Sequence, residues 1–381
     1  MLKYRTGLAD MPAYDVAERD WRLKLNANEA PTTLPPLVEE RVMARLSHIA
    51  FNRYPNLEMK DLIEQVASNF SLREEQIFFG NGSSEIIEKL FYAFGGKNHA
   101  IVYPEPSFSM YKIYVKVADA KGVPVGLEED YSLDREKFVR AVEESKASLA
   151  VVCTPNNPTG NLIPLEDVEY IAQNIDCALV VDEAYLEFAG EDASAVKLLK
   201  KYPHMIVART FSKAYGLASA RVGYMMADEA VVRMVEKAFM PYHLNVLSLV
   251  TADIVYQMRD EFRPRIYMLR DECRRVAEEL KKIKGLTVYP SHTNFLLLKS
   301  AKAEKLNEYL SEQGIGVRSF GRAPRLENCL RISMGTREEN DLWLGEVKRF
   351  MGGKKYDAKG GEKAENGGNF RPCFRESGRQ R

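Results

Sequence analysis

The chain has 381 residues, 45% of them hydrophobic and 28% charged, and its 54 Lys and Arg balance 54 Asp and Glu. That length buries a sizeable core with room for two domains, and the neutral balance excludes both a whole-chain basic field for nucleic acid and an acid-rich disordered chain. No apolar run reaches the roughly 18–20 residues that cross a bilayer, the five cysteines form no CxxC pair, and MLKYRTGLADMPAYD lacks a signal peptide's apolar core, so the expectation is small polar substrates, a reducing cytoplasm and no metal.

In chain order, the apolar runs IFF (77–79), AIVY (100–103), LAVVC (149–153), ALVV (178–181) and MIVA (205–208) each lead into a polar or glycine-rich loop and read as buried parallel strands. Between them, Ile87, Leu90, Phe91 and Phe94 follow the i, i+3, i+4, i+7 spacing of a helix packing one face on a sheet. From Phe262 the rhythm changes to one long helical stripe, Phe262, Ile266, Leu269, Cys273, Val276, Leu280 and Ile283, followed by the short strands LTVY (286–289) and NFLLLK (294–299). The fold class is therefore α/β, with a mostly parallel sheet flanked by helices in a large domain and a smaller α+β domain. The expected boundaries are an arm at 1–30 that joins the small domain, a large domain at 31–258, a small domain at 259–351 and a tail at 352–381. The tail carries eight Lys or Arg against four Asp or Glu among many glycines, and reads as disordered.

In an open parallel sheet, ligands sit beyond the carboxyl ends of the strands, so the residues that follow each apolar run carry the weight. GNGSSE (80–85) opens a helix whose free N–H groups suit a phosphate, although a plain serine-capped turn has the same look. TPNNPTG (154–160) sets Asn157 on a rigid turn. DEAYLEF (182–188) puts Asp182 at the end of an apolar strand, where a carboxylate needs a partner such as a protonated ring nitrogen, with Tyr185 three residues on. RTFSKAYGLASARVGY (209–224) brings Thr210, Ser212, Lys213 and Arg221 to one loop. Read singly, each has a bland structural explanation; read together they form the constellation that pyridoxal phosphate requires. Lys213 forms the covalent imine, Asp182 keeps the pyridine nitrogen protonated, and Asn157 and Tyr185 hydrogen-bond the ring oxygen. Thr210, Ser212, Arg221 and the GNGSS helix start hold the phosphate.

With KLNANEAP (24–31), NRYPN (52–56), PSFSMY (106–111), TNFLLLK (293–299) and LRISMGTREEN (330–340), the chain resembles the fold-type I pyridoxal-phosphate enzymes of the class I/II aminotransferases from about Tyr14 to Phe350. The resemblance implies that Lys213 is also the general base, and that Phe108 stacks on the cofactor ring. It puts Ser83 and Ser84 on the phosphate-binding turn and sends Tyr54 to the phosphate of a neighbouring subunit in a homodimer. It further implies substrate recognition by Arg318 and Arg331 with Tyr14 and Asn157 close by. Within the family the motifs resemble the branch that exchanges an amino group between histidinol phosphate and 2-oxoglutarate, or glutamate in the biosynthetic direction. An aromatic-amino-acid aminotransferase and a threonine-phosphate decarboxylase are the alternatives on the same scaffold. A binding-only protein is at odds with an intact Lys213.

Overall fold

The computed structural model describes residues 19–55 and 58–352. Strand β1 (Leu23–Lys24) is followed by the seven strands of the main sheet: β2 (Ile77–Gly80), β3 (Ala100–Glu105), β4 (Lys121–Gly126), β5 (Leu149–Cys153), β6 (Ala178–Asp182), β7 (Met205–Thr210) and β8 (Gly223–Ala227). Their order in space is β2-β8-β7-β6-β5-β3-β4.

Strands β4, β3, β5, β6 and β7 pair in parallel. All residues of β5, β6 and β7 are buried, which is why they read as unbroken apolar runs rather than alternating ones. The alternation lies instead in the two layers they serve. Val152, Val181 and Val207 enter one core, whereas Val151, Val180 and Ile206 enter a second core on the opposite face, with Ile86, Ile87, Leu90 and Phe91 of the helix Gly82–Phe94.

One expectation needs correcting. IFF lies in β2, whose one partner among the described residues is β8; that pairing is antiparallel, as is the pairing of β8 with β7, so β2 runs the same way as β7 and β8 is the reversed strand between them. The loop 211–222 turns the chain straight back from Thr210 to Gly223 without a helical crossover, and a chain that returns this way must run antiparallel. β8 completes the sheet at a place where the sequence reading proposed no strand.

The later residues build β9 (Thr287–Val288), β10 (Phe295–Lys299), β11 (Ile315–Gly316), β12 (Arg318–Ser319) and β13 (Cys329–Ser333). Four of these form an antiparallel sheet in the order β12-β13-β10-β9, and β11 pairs with β1. The predicted stripe from Phe262 is the helix Arg263–Lys281, which buries Ile266, Leu269, Cys273, Val276 and Leu280. Among the described residues no helix is long and apolar enough to cross a membrane.

Candidate active site

Parallel register brings the strand ends to one level. Cys153 at the end of β5 lies opposite Asp182, and Asp182 lies opposite Ala208 of β7, so the loops after β5, β6 and β7 open on the same side. A cavity of about 690 Å³ sits there. Its lining includes Ser83, Ser84, Phe108, Asn157, Asp182, Tyr185, Thr210, Ser212, Lys213, Arg221, Arg318 and Arg331, that is, all but two of the residues singled out from sequence. Tyr54 lies outside this lining, 76% exposed and stacked on Tyr242 with ring centroids 4.6 Å apart. Tyr14 lies outside the described residues.

The antiparallel return from β7 to β8 explains the grouping of Thr210, Ser212, Lys213 and Arg221. Thr210 Oγ1 donates to Ser212 Oγ at 3.0 Å, and Arg221 Nη1 lies 3.5 Å from the same oxygen. Gly223 opens β8 against the start of the helix Gly82–Phe94, where a Cβ would fall 2.2 Å from Ser83 N. Gly82 has φ +76° and would drive a Cβ to 2.6 Å from Arg221 Nη2. Two glycines thus keep open a cradle of backbone N–H groups, hydroxyls and one guanidinium, suited to a phosphate. Ser83 and Ser84 both line this cradle at the start of the helix Gly82–Phe94.

Lys213 Nζ donates to Ala27 O at 3.1 Å. Burial, and then the charge of Arg331, push its ammonium down to about 8. Asp182 is 3% exposed; its Oδ2 accepts from the Tyr111 hydroxyl at 2.7 Å and its Oδ1 from Ala184 N–H at 3.2 Å. Burial lifts its carboxyl to about 6. A buried carboxylate with two donors, and no ion pair among the described residues, is suited to meeting a cation. The Tyr185 hydroxyl accepts from Asn28 Nδ2 at 2.8 Å, which leaves its own proton to donate. Asn157 accepts from Arg331 Nη1 through Oδ1, which leaves its amide N–H groups for the cavity.

Arg318 and Arg331 are directly opposed partners across β12 and β13, so both side chains stand on one face, above the mouth of the cavity. Arg331 is tied down by Asn157 and by Asn26 O at 2.9 Å, and its guanidinium carbon lies 5.4 Å from the Phe295 ring centroid.

Three contributors were absent from the sequence reading. Asn28 is 1% exposed and bonds both Tyr185 and Ser333, with φ +55°. Tyr111 closes the PSFSMY motif, and its hydroxyl donates to Asp182 Oδ2. The buried ion pair of Arg209 Nε with Glu183 Oε2, at 2.9 Å, lies between the chemistry-bearing residues Asp182 and Thr210 but on the other side of the sheet. In an alternating strand, the neighbour of a site residue faces away from the site, and this was the available signal. That far side also holds a larger cavity of about 910 Å³, lined by Glu187, Arg209 and Tyr256 among others, but it contains none of the strand-end constellation.

Comparisons with known proteins agree with this geometry. The family model "Aminotransferase class I and II" matches residues 22–346. A histidinol-phosphate aminotransferase from Thermoanaerobacter sp. (strain X514) is 39% identical over 338 residues, which is 89% of this chain and 95% of that protein. A crystal structure of histidinol-phosphate aminotransferase from Sinorhizobium meliloti, in complex with pyridoxal-5'-phosphate, aligns with TM-score 0.80 and 26% identity over 87% of this chain and 92% of that one. L-threonine-O-3-phosphate decarboxylase from Porphyromonas gingivalis shares the fold, with TM-score 0.75 at 21% identity over 87% of this chain and 99% of its own.

Proposed function

Because the chain belongs to the class I and II aminotransferases, we propose that it binds pyridoxal phosphate and moves an amino group between histidinol phosphate and 2-oxoglutarate, with imidazole-acetol phosphate and glutamate as the partners in the biosynthetic direction. The observation that carries this reading is the convergence of a half-buried, weakly basic lysine with two cross-strand arginines on one cavity. The names of the relatives and the cofactor in the Sinorhizobium structure support it.

The residues fit the cofactor. Ser83, Ser84, Thr210, Ser212, Arg221 and the N–H groups at the start of the helix Gly82–Phe94 hold its phosphate in the cradle that Gly82 and Gly223 keep open. Asp182 meets the pyridine nitrogen, Asn157 and Tyr185 donate to the ring oxygen, Phe108 covers one face of the ring, and Lys213 provides the amine that attaches it. When bound, the cofactor supplies an electron sink for the charge left when a substrate Cα–H bond breaks.

This chain's residues do the rest. Lys213 would be the proton-carrying group: burial and neighbouring guanidinium groups lower the proton affinity of its amine, so at neutral to mildly alkaline pH the free amine would take and return the proton of the substrate Cα–H bond. Arg331 and Arg318 grip an oxyanion through planar forks. The same pair serves the α-carboxylate of glutamate in one half-reaction and the phosphate of histidinol phosphate in the other.

The active unit in this reading is a homodimer. Phe51, Tyr54, Met240 and Tyr242 are between 55% and 76% exposed, and Tyr54 stacks on Tyr242; a second copy covers this pair in this reading, with each Tyr54 reaching the partner's phosphate site. The four described cysteines are free thiols, in keeping with a reducing cytoplasm.

The test offers histidinol phosphate, phenylalanine, tyrosine and threonine phosphate in turn with 2-oxoglutarate, and follows glutamate and carbon dioxide. Glutamate formed most efficiently from histidinol phosphate is the expected result. Preference for an aromatic amino acid, or carbon dioxide from threonine phosphate without a 2-oxo acid, replaces this reading with one of the alternatives.

A further inference from the structure

Tyr111 lies three residues after Phe108, in the first turn of the helix Met110–Val117, with its ring wholly buried. Aromatic neighbours fix it on several sides. The Phe91 ring is stacked at 6.1 Å, the Tyr103 ring meets it edge-on at 6.4 Å, and the Phe108 ring meets it edge-on at 5.5 Å and 88°. Held in this way, its hydroxyl donates to Asp182 Oδ2 at 2.7 Å. One side chain therefore touches both the residue that covers the cofactor ring and the residue that meets the ring nitrogen.

We propose that Tyr111 is a positioning residue for Asp182, fixing the direction of its carboxylate and holding it as the weakly basic anion that leaves the proton on the cofactor nitrogen. The inference rests on the cofactor reading above. A hydrogen bond donated to the ionised form favours that form, so Tyr111 works against the burial that pushes the Asp182 carboxyl up. Tyr111 itself stays protonated, because burial, with the adjoining Asp182, holds its phenol well above the usual range. The other ionisable groups facing Asp182 act less directly. Cys153 on β5 is a buried thiol held neutral by burial, Tyr114 and Tyr185 are phenols raised in the same way, and the Glu183 charge is met by Arg209.

The sign follows from these contacts. Without the Tyr111 donor, Asp182 becomes the stronger base and draws the shared proton away from the ring nitrogen. A less cationic ring withdraws less charge from the imine nitrogen on Lys213, which then keeps its proton to higher pH.

The experiment titrates the absorbance of the bound cofactor against pH in the wild type, in Tyr111→Phe, and in Phe91→Leu, which disturbs the same aromatic cluster without removing a hydroxyl. Thermal unfolding of each is recorded alongside. Phenylalanine keeps the packing, so Tyr111→Phe should unfold near the wild-type temperature while its absorbance midpoint moves upward by about one pH unit, the size expected for one hydrogen bond to a charged group. Its kcat should fall about tenfold with KM little changed, as for a group that acts only once substrate is in place. Coincident titration curves for Tyr111→Phe and wild type, or an equal shift in Phe91→Leu, would overturn the role of Tyr111. A wild type that takes up no pyridoxal phosphate would instead overturn the cofactor reading itself.

Discussion

Arg331 Nη1 donates to Asn157 Oδ1 at 2.5 Å, and the same guanidinium donates through Nη2 to Asn26 O. A strand of the four-stranded sheet is thereby tied to the turn after β5 and to the KLNANE segment at one point. Two of the guanidinium donors hold its orientation, which sets the angle at which Arg331 stands over the cavity. Arg331→Lys keeps the charge but loses the fork, and KM for both amino donor and oxo acid is expected to rise about ten- to a hundredfold. Steady-state kinetics with each substrate checks this; a change confined to one of the two would mean that they do not share the arginine.

The acidity of Lys213 can be read directly in the apoprotein. An amine held near pH 8 is protonated below that pH and free above it, so capture of pyridoxal phosphate should accelerate through a midpoint near 8 rather than near the ordinary lysine value. Arg331→Gln removes a like charge and should move the midpoint upward, since the ammonium then loses a repulsive neighbour. Stopped-flow absorbance across the pH range measures both. Lys213→Ala should show no such capture.

Tyr54 stands exposed against Tyr242, away from the cavity of its own chain. If it serves a neighbouring subunit, Lys213→Ala and Tyr54→Ala chains, each inactive alone, should regain activity when mixed and allowed to exchange. Each mixed dimer then has one site with an intact lysine and a tyrosine supplied by its partner. Adding Arg331→Ala to the Tyr54→Ala chain should abolish the recovery. No recovery in the simple mixture, with exchange verified by tagged subunits, would rule out action across the interface.

Glu183 and Arg209 form a pair buried at 0% and 1% exposure. Glu183 also accepts from Ser194 Oγ and from Ala195 N–H, and Arg209 reaches Glu191 as well. Glu183→Gln leaves a buried guanidinium whose charge is then met by the exposed Glu191, and should cost about 3 kcal/mol of stability. Urea unfolding measures the loss. Because Glu183 adjoins Asp182 in sequence but faces away from the cavity, the variant should lose stability before it loses cofactor affinity.

How much of this was legible in sequence depended on whether a residue's signal was local. Lys213, Asp182 and Asn157 each follow a run of buried strand, and the run itself announced the place where chemistry belongs. Arg331 entered through LRISMGTREEN, one of the motifs that carry the family resemblance. β8 escaped because an antiparallel return leaves no crossover helix to mark it, and GYMMA alone does not reveal its direction. Asn28 and Tyr111 escaped for another reason: their meaning lies in contacts with Tyr185 and Asp182, at separations of 157 and 71 residues, that no spacing rule encodes.

The common level of the ends of β5, β6 and β7 has a consequence for how this chain can change over time. At the opposite edge of the sheet the connections 146–148, 174–177 and 202–204 carry none of the chemistry, and Lys146 there merely caps a helix in a left-handed conformation. A residue gained or lost in those turns lies a strand's length from the cavity, whereas the same length change in 154–160 or 211–222 would move Asn157 or Lys213 relative to Asp182. Drift in chain length among descendants of this protein should therefore accumulate along one rim of the sheet, and the other rim should keep its residue count even where its side chains have been replaced.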